Sequence, residues 1–226
     1  VYNLDENIVV TASRIPTNFP SVSRSVIVID QNTITQSGVN TIEELIESCT
    51  SVDFQQRGVQ GVQADLSIRG STFEQSLVLI DGIKMSDPQT GHHLMDIPLT
   101  INDRERIEVL KGHGSRLYGP NAFGGVVNII TQKGDTRTLN IQGQIGEFGF
   151  FERSISLSQP LGITKHRLSL TKKESSGYRE NTEFDISSLA YSSSIAHSLG
   201  GEIDFSLGYT DKEFGANSFY SDTYPN

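Results

Sequence analysis

The chain has 226 residues, of which 18 are Lys or Arg and 27 are Asp or Glu, so its formal net charge is −9. This acidic balance argues against nucleic acid as a partner, because phosphate binding needs a basic face. The single cysteine, Cys49, excludes an intrachain disulfide and a cysteine-based zinc cluster, while the 21 glycines and 35% hydrophobic residues are typical of a turn-rich β protein.

The first predicted element is an extended segment near the N-terminus, Ile8-Val9-Val10-Thr11-Ala12. Its β-branched side chains favour a strand over a helix. An extended peptide of this kind can add to the edge of a partner's sheet through main-chain hydrogen bonds. The alternative is an ordinary first strand of the domain that follows.

Two short helices are predicted next. Asp30 can cap a helix over Asp30–Ser37 that Gly38 ends, and Thr41 with Glu44 forms a capping box that begins a helix through about Ser48. Runs rich in Val, Ile and Leu predict five strands in this half of the chain: Ser25–Ile29, Ala64–Ile68, Leu77–Ile80, Ile107–Leu110 and Val126–Thr131.

Glycines punctuate these strands. Asp81-Gly82, between Leu77–Ile80 and Ile83–Met85, supplies the positive φ angles of a tight hairpin. Three further glycines before the last strand predict close approach of backbones: Gly119, Gly124 and Gly125.

After Gly134 the pattern alternates with period two, and about five strands are predicted in residues 134–226. The clearest run sets Ile203, Phe205 and Leu207 against Asp204 and Ser206. The pattern alone fits a soluble sandwich and a transmembrane barrel equally well. Five strands are too few to close a membrane barrel, which needs roughly eight, so we expect the chain to be part of a longer protein.

Five motifs occur in order between Asp65 and Thr131: Leu66–Gly70, Leu77–Ile83, Arg106–Gly112, Ser115–Gly119 and Asn121–Thr131. In this order and spacing they resemble the plug domain of TonB-dependent outer-membrane receptors. The stretch from Gln55 to Gly70 and the Leu77–Ile83 hairpin are most similar to the cobalamin transporter group. The resemblance implies an α+β plug domain followed by the first antiparallel strands of a 22-stranded transmembrane β-barrel. The implied domains are a coupling segment at 1–14, the plug at 15–133 and barrel strands at 134–226.

Within that resemblance, Ile8–Ala12 matches the TonB box, the segment that binds the periplasmic domain of TonB. We expect it to be mobile without its partner. Arg69 and Arg106, with Glu108 as a weaker member, match positions that lock the plug to barrel-wall carboxylates. A local pair inside the plug, such as Arg104 with Glu108, is the alternative.

Ligand contacts are expected from two loops at the outer end of the plug. Glutamine offers donors and an acceptor to an amide-bearing ligand, and the neighbouring histidines face divergent directions in an extended chain, which disfavours a metal site. The candidate residues are Arg57, Gln60, Gln63, Asp87, Gln89, His92 and His93. A cobalamin-like corrinoid is the favoured ligand, with a ferric siderophore or haem as the alternative.

The sequence shows no catalytic motif, so we predict no enzyme, no catalytic residue, no metal site and no cofactor. The expected function is active transport in the Gram-negative outer membrane, with TonB, membrane lipid and the nutrient as partners. A receptor that mainly signals to transcription is the runner-up, disfavoured because only Val1–Asp5 precede the coupling segment. A soluble binding module is the third alternative. Cys49-Thr50-Ser51 and His113 depart from the family's usual proline-containing turns.

Overall fold

A computed structural model describes residues 8–9, 11, 13, 17–18, 24–87, 90–197 and 201–219. They divide into two compact units. The first comprises the described residues of 1–56, 63–95 and 104–131, and the second those of 57–62, 96–103 and 132–226. The predicted plug is one continuous range, residues 15–133. In the structure two short segments within that range, 57–62 and 96–103, group with the residues of the predicted barrel strands. No helix among the described residues is long and apolar enough to cross a membrane.

The first unit combines short helices with short strands. Its elements in chain order are β1 (Ile8–Val9), β2 (Thr17–Asn18), β3 (Val26–Ile29), α1 (Gln31–Gln36), α2 (Ile42–Glu47), β4 (Val52–Gln56), β5 (Ala64–Ile68), β6 (Ser76–Ile80), β7 (Ile83–Met85), β8 (Arg104–Lys111), α3 (Ser115–Tyr118) and β9 (Gly125–Thr131).

The main sheet of this unit has five strands in the order β3-β8-β9-β6-β7. β6 and β9 are parallel and the other neighbours are antiparallel. β1 pairs with β2, and β4 pairs with β5, in two separate two-stranded sheets. One face of the main sheet buries a core that includes Val26, Leu79, Leu110 and Val126, against which Tyr118 of α3 packs. All five predicted strands of this half are confirmed, and β4 was not predicted.

Both predicted helices and their caps are confirmed. The Asp30 carboxylate accepts from Thr33 N at 2.8 Å, and Gly38 follows the helix with a φ of 66°. Thr41 Oγ1 accepts from Glu44 N at 3.3 Å. The reciprocal bond differs from the prediction, since the Glu44 carboxylate accepts from the N–H of Asn40.

One tight turn and one close approach of two strands shape the main sheet. Asp81 and Gly82 have φ angles of 50° and 81°, which suit the two-residue hairpin predicted between β6 and β7. The Asp81 carboxylate also accepts from the N–H and the hydroxyl of Thr131, at 2.9 and 2.6 Å. At Gly125 a Cβ atom would lie 2.6 Å from the carbonyl oxygen of Leu110, so glycine permits the predicted close approach of β8 and β9.

Cys49 is buried at the end of α2, as expected for a small apolar side chain. Burial raises the pKa of its thiol. A neutral, inaccessible thiol is a poor nucleophile.

Replacing Asp30 with alanine should weaken α1 in a pH-dependent way. The hydrogen bond from Thr33 N–H holds the pKa of Asp30 below its usual 3.8. Because the folded-state pKa is depressed, the stabilisation is present above the unfolded-state value and is lost as the pH falls through the folded-state value. Hydrogen exchange of the α1 amides should accelerate about fivefold at pH 7, equivalent to about 1 kcal/mol for a lost cap. Asp30→Asn is the matched control, because it keeps the cap without the charge. Equal acceleration by alanine at pH 7 and pH 3 would contradict the expectation.

The second unit is built on five long strands in a simple antiparallel meander. The predicted number of strands is confirmed. They are β10 (Thr138–Ile145), β11 (Phe151–Leu161), β12 (Thr164–Ser175), β13 (Phe184–Ala196) and β14 (Glu202–Phe214).

Burial on this sheet is the reverse of that in a soluble sandwich. Ser158, Arg167 and Ser169 are buried, although they are polar. Many apolar positions of the same sheet are exposed, for example Ile141 at 71% and Leu207 at 55%. The exposed set continues along the sheet: Leu139, Ile145, Ile155, Leu157, Leu168, Leu170, Ile203, Phe205 and Tyr209. The pattern therefore has an apolar outer face and a polar inner face, which is the arrangement of barrel strands in a membrane. The described strands form an open sheet and no closed barrel.

Candidate functional site

The predicted coupling segment contacts the core of the first unit through Thr11. Its N–H and its hydroxyl donate to the same carboxylate oxygen, Glu108 Oε2, at 2.8 and 2.6 Å. The hydroxyl of Tyr118 donates to the carbonyl oxygen of Thr11 at 3.1 Å. Thr11 and Glu108 have no solvent-exposed surface. We name this group of three residues, Thr11, Glu108 and Tyr118, the Thr11 clasp.

Local structure explains how the clasp is placed. Glu108 lies in the middle of β8, where it is flanked by β3 on one side and β9 on the other. Tyr118 is the last residue of α3. Ile8–Val9 pairs with Thr17–Asn18 just before Thr11. The structure places Thr11 in contact with Glu108 and Tyr118, whereas Val10 and Ala12 lie outside the described residues. The expected mobility of the coupling segment stays a prediction.

The predicted lock residues of the plug have local contacts. Glu108 Oε1 accepts from Arg106 Nε at 3.0 Å, and Arg106 Nη1 donates to Glu105 at 2.7 Å. Glu108 therefore has a local partner inside the plug, which is the alternative that the sequence left open. The observed partner is Arg106, whereas the example given from the sequence was Arg104. Arg69 is exposed, has a φ of 56° and lies against Gly112. Pairing of Arg69 and Arg106 with carboxylates beyond residue 226 stays a prediction.

A histidine–carboxylate pair lies among the predicted ligand residues of the first unit. His92 Nδ1 is 2.9 Å from Asp65 Oδ1, and the His92 ring lies 4.3 Å from the ring of Phe73. Asp65 is buried at the start of β5, and Thr90 Oγ1 accepts from His92 N at 3.2 Å. Since a carboxylate accepts hydrogen bonds, the contact requires a proton on Nδ1. The pair fixes the orientation of the imidazole ring.

The other predicted ligand residues of this unit differ in exposure. Gln63 is buried, and its Nε2 has no hydrogen-bond partner within the described part of the chain. Asp87 is exposed and accepts from Thr90 N at 3.2 Å. His93 is half-buried, and Gln89 lies outside the described residues.

Two predicted ligand residues belong to the second unit. Arg57 Nη1 donates to the carbonyl oxygen of Phe219. Gln60 is half-buried with a φ of 57°, and no residue that the structure describes bonds its Oε1. Arg57 thus has a structural contact, whereas the amide of Gln60 has acceptor capacity for a ligand.

The sequence did not predict a buried ionic cluster in the second unit. Asp103 Oδ1 accepts from Arg167 Nη2 at 3.0 Å and from the hydroxyl of Ser169. Its Oδ2 accepts from the N–H and the hydroxyl of Thr100, both at 2.8 Å. Arg167 also donates to Ser158 at 2.8 Å. The side chains of Asp103 and Arg167 are 3% and 7% exposed, so the segment 96–103 is fixed to β11 and β12 by a fully bonded ion pair.

Lys212 of β14 forms a second ionic contact, which is partly exposed. Its Nζ donates to Asp96 at 2.6 Å and to the carbonyl oxygens of Gly61 and Val62 at 3.0 and 3.3 Å. Lys212 therefore contacts both segments that join the second unit from earlier in the sequence, 57–62 and 96–103. A periodic pattern gives no sign of either cluster, because each joins residues distant in the chain.

In the part of the chain that the structure describes, no three His, Cys, Asp or Glu side chains are arranged to hold a metal ion. The arrangement offers hydrogen bonds, a fixed imidazole ring and a docked extended segment, which are features of binding.

Comparison with known proteins places these features in context. Residues 20–126 match the model of a family described as the TonB-dependent receptor plug domain. A stretch of 159 residues is 35% identical to the vitamin B12 transporter BtuB of Vibrio cholerae, which covers 70% of this chain and 26% of that relative. The chain spans about a quarter of the length of the curated relatives it matches.

Solved structures resemble both halves of the chain. The ferripyoverdine receptor of the Pseudomonas aeruginosa outer membrane, bound to ferripyoverdine, has a TM-score of 0.73 at 17% identity, over 91% of this chain and 27% of that one. The ferric yersiniabactin uptake receptor FyuA of Yersinia pestis has a TM-score of 0.68 at 19% identity, over 84% and 32%. At these identities the likeness concerns the fold alone.

Proposed function

Residues 20–126 belong to the TonB-dependent receptor plug domain family, and on that premise we propose that the chain forms the plug and first barrel strands of an active transporter in the outer membrane of a Gram-negative cell. The transporter binds a large, scarce nutrient outside the cell. Its periplasmic partner is TonB, which binds the coupling segment Ile8–Ala12. The relatives and neighbours of the chain are receptors and transporters, which supports transport over catalysis.

The exposed apolar face of β10–β14 supports the membrane part of the proposal. Contact of Ile141, Ile203 and Phe205 with lipid would lower the free energy by roughly 25 cal/mol per Å² of apolar surface removed from water. The opposite face holds Ser158, Ser169 and Arg167, which are bonded to polar groups inside the second unit. The lipid of the outer membrane is therefore the proposed partner of the apolar face.

The proposed nutrient is a cobalamin-like corrinoid. The observation that carries this choice is the 35% identity over 159 residues to a vitamin B12 transporter. The amides of Gln60 and Gln63 have capacity for hydrogen bonds, and a corrin ring carries amide groups that need partners of this kind. Asp65 holds His92 in a fixed orientation, so the ring contacts the nutrient without a large loss of side-chain entropy.

Calorimetric titration of the full-length receptor with cobalamin and with a panel of ferric siderophores tests the ligand. We expect tight binding of cobalamin and weak or absent binding of the siderophores. An Asp65→Asn receptor should bind cobalamin about tenfold more weakly, because the His92 ring loses a hydrogen bond to a charged group. Asp53→Asn, an exposed change on the neighbouring strand β4, is the matched control. Tight binding of a ferric siderophore without cobalamin binding would replace the proposed ligand by its competitor.

A further inference from the structure

We infer that Lys212 of β14 is a positioning residue for nutrient recognition, because it holds the turn at residues 59–62 in the conformation that presents Gln60. The inference rests on the proposed function, since it takes Gln60 as a residue that contacts the nutrient. Lys212 lies 151 residues after Gly61, the neighbour of Gln60 in the turn.

The backbone of the turn carries the first step of the argument. Gln60 and Gly61 both have positive φ angles, 57° and 78°. Val62 N donates to the carbonyl oxygen of Val59 at 3.2 Å. Two successive positive φ angles are those of a type I′ turn, which glycine adopts freely and a residue with a side chain adopts at a cost. A left-handed residue other than glycine persists where its surroundings impose that conformation, and such residues cluster at functional sites.

The second step identifies a contact that imposes the conformation. Lys212 Nζ donates to the carbonyl oxygens of Gly61 and Val62, at 3.0 and 3.3 Å, and to Asp96 at 2.6 Å. An ammonium group has three donors, so these contacts use all of them. Two successive carbonyl oxygens directed at one nitrogen fix the orientation of the backbone that follows Gln60. The Lys212 side chain is 13% exposed, so solvent and salt screen its contacts only weakly.

Packing fixes the ends of the same turn. Val62 is buried in an apolar cluster that includes Phe219. A Cβ atom on Gly58 would lie 2.9 Å from the Cβ of Val62, so the backbone before the turn packs against the residue that ends it. These contacts hold the ends of the turn, whereas Lys212 holds its backbone carbonyls. The conformation of Gln60, between the two ends, therefore depends on Lys212.

The side chain of Gln60 provides the link to recognition. Its Oε1 atom is buried and has no hydrogen-bond partner within the described ranges of the chain. A buried acceptor without a donor is costly, and a donor on the nutrient would satisfy it. A binding group that is ordered before the ligand arrives loses less entropy on binding, which raises the affinity. Lys212 supplies this order from a strand outside the ligand loop.

A double-mutant cycle tests the role, with cobalamin affinity of the full-length receptor in detergent measured by calorimetric titration. Gln60→Ala removes the amide, and we expect the affinity to fall about fivefold. Lys212→Met keeps most of the side-chain length without the three donors, and we expect a fall of about tenfold. The receptor with both substitutions should lose about tenfold rather than about fiftyfold, because Lys212 acts through Gln60.

Lys173→Met is the matched control. Lys173 and Lys212 lie in one cross-strand row on the same face of the sheet, with Ile186 between them. Lys173 lies 3.5 Å from Glu152 and is 17% exposed, close to the 13% of Lys212. Its substitution should leave the cobalamin affinity unchanged. Lys212→Arg keeps a cation with several donors and should retain the affinity within about threefold.

Hydrogen exchange of the receptor without nutrient gives a readout that is independent of the ligand. The amide of Val62 should exchange faster in Lys212→Met, with unchanged protection of β13 and β14. That protection also verifies that the variant folds. Adding Asp96→Asn to Lys212→Met removes the carboxylate that had paired with the lysine. The same loss of affinity in this double variant would assign the effect to the missing donors rather than to the charge of Asp96.

Additive losses in the cycle, unchanged affinity in Gln60→Ala, or unchanged Val62 exchange in Lys212→Met would each overturn the inference and leave the proposed function standing. An equal loss in the Lys173→Met control would do the same, because it would assign the effect to the charge of that face. Binding of a ferric siderophore without binding of cobalamin would overturn the proposed nutrient. The same cycle, measured with that siderophore, would then decide the role of Lys212.

Discussion

A receptor with proline in place of Val10 should bind its nutrient at the cell surface and fail to import it. Proline removes one amide from the coupling segment and restricts its backbone, so pairing with the TonB sheet is lost. The substituted position lies in the coupling segment rather than in the predicted ligand loops, and ligand affinity should not change. Uptake of labelled nutrient by whole cells, measured beside surface binding, gives the two quantities.

Val10→Ala is the control for this experiment, because alanine shortens the side chain and keeps the amide. It should retain most of the uptake. Normal uptake by a stably expressed Val10→Pro receptor would rule out strand addition at Ile8–Ala12 as the coupling step. Loss of surface binding together with uptake would point instead to misfolding of the variant.

Replacement of Arg167 with methionine should destabilise the receptor by about 3–5 kcal/mol, the range for breaking one side of a buried ion pair. Asp103 would keep its bonds to Thr100 and Ser169 but would carry a buried charge without a cation. Equilibrium unfolding of the full-length receptor by urea in a defined lipid measures the change. The m-value shows whether the extent of unfolding stays the same.

Lys172→Met provides a comparison on the same strand, β12. Lys172 pairs with Asp185 at 2.7 Å, but its side chain is 34% exposed, so its loss should cost less than about 1 kcal/mol. Adding Asp103→Asn to Arg167→Met should recover part of the lost stability, because it removes the uncompensated charge. Equal effects of the two single changes would show that the Asp103–Arg167 pair has no special energetic role.

The sequence predicted the elements that depend on local chemistry. The hairpin at Asp81-Gly82 follows from the φ angles that these residues tolerate, and the caps at Asp30 and Thr41 follow from their short polar side chains. The ordered motifs between Asp65 and Thr131 correctly indicated a plug domain. These features need only neighbouring residues or their order in the chain.

The sequence showed that apolar and polar residues alternate in β10–β14, but it did not show which of the two sets is buried. A period of two shows that two faces differ, and it does not show which face is buried. The structure resolves this through Ser158, Arg167 and Ser169, which are buried together with Asp103. That contact depends on a carboxylate some sixty positions earlier, which no strand pattern reports.

The candidate site was predicted only in part, because its contacts also join residues that are distant in the chain. His92 was identified as a loop residue, but its partner Asp65 was interpreted only as the start of a strand motif. Glu108 was assigned to a barrel lock, and its contact with Thr11 joins positions 97 residues apart. The roles of the named ligand residues and lock arginines stay predictions.

The contacts of Arg57 and Lys212 also constrain the order in which the protein can assemble. Arg57 binds the carbonyl of Phe219, 162 residues later, and Lys212 binds the carbonyl of Gly61, 151 residues earlier. Neither bond can form until the chain has been translated through β14 and delivered to the same compartment. Closing such long loops is entropically costly and slow. The segments 57–62 and 96–103 should therefore reach their native positions late in biogenesis, after the strands that receive them have paired.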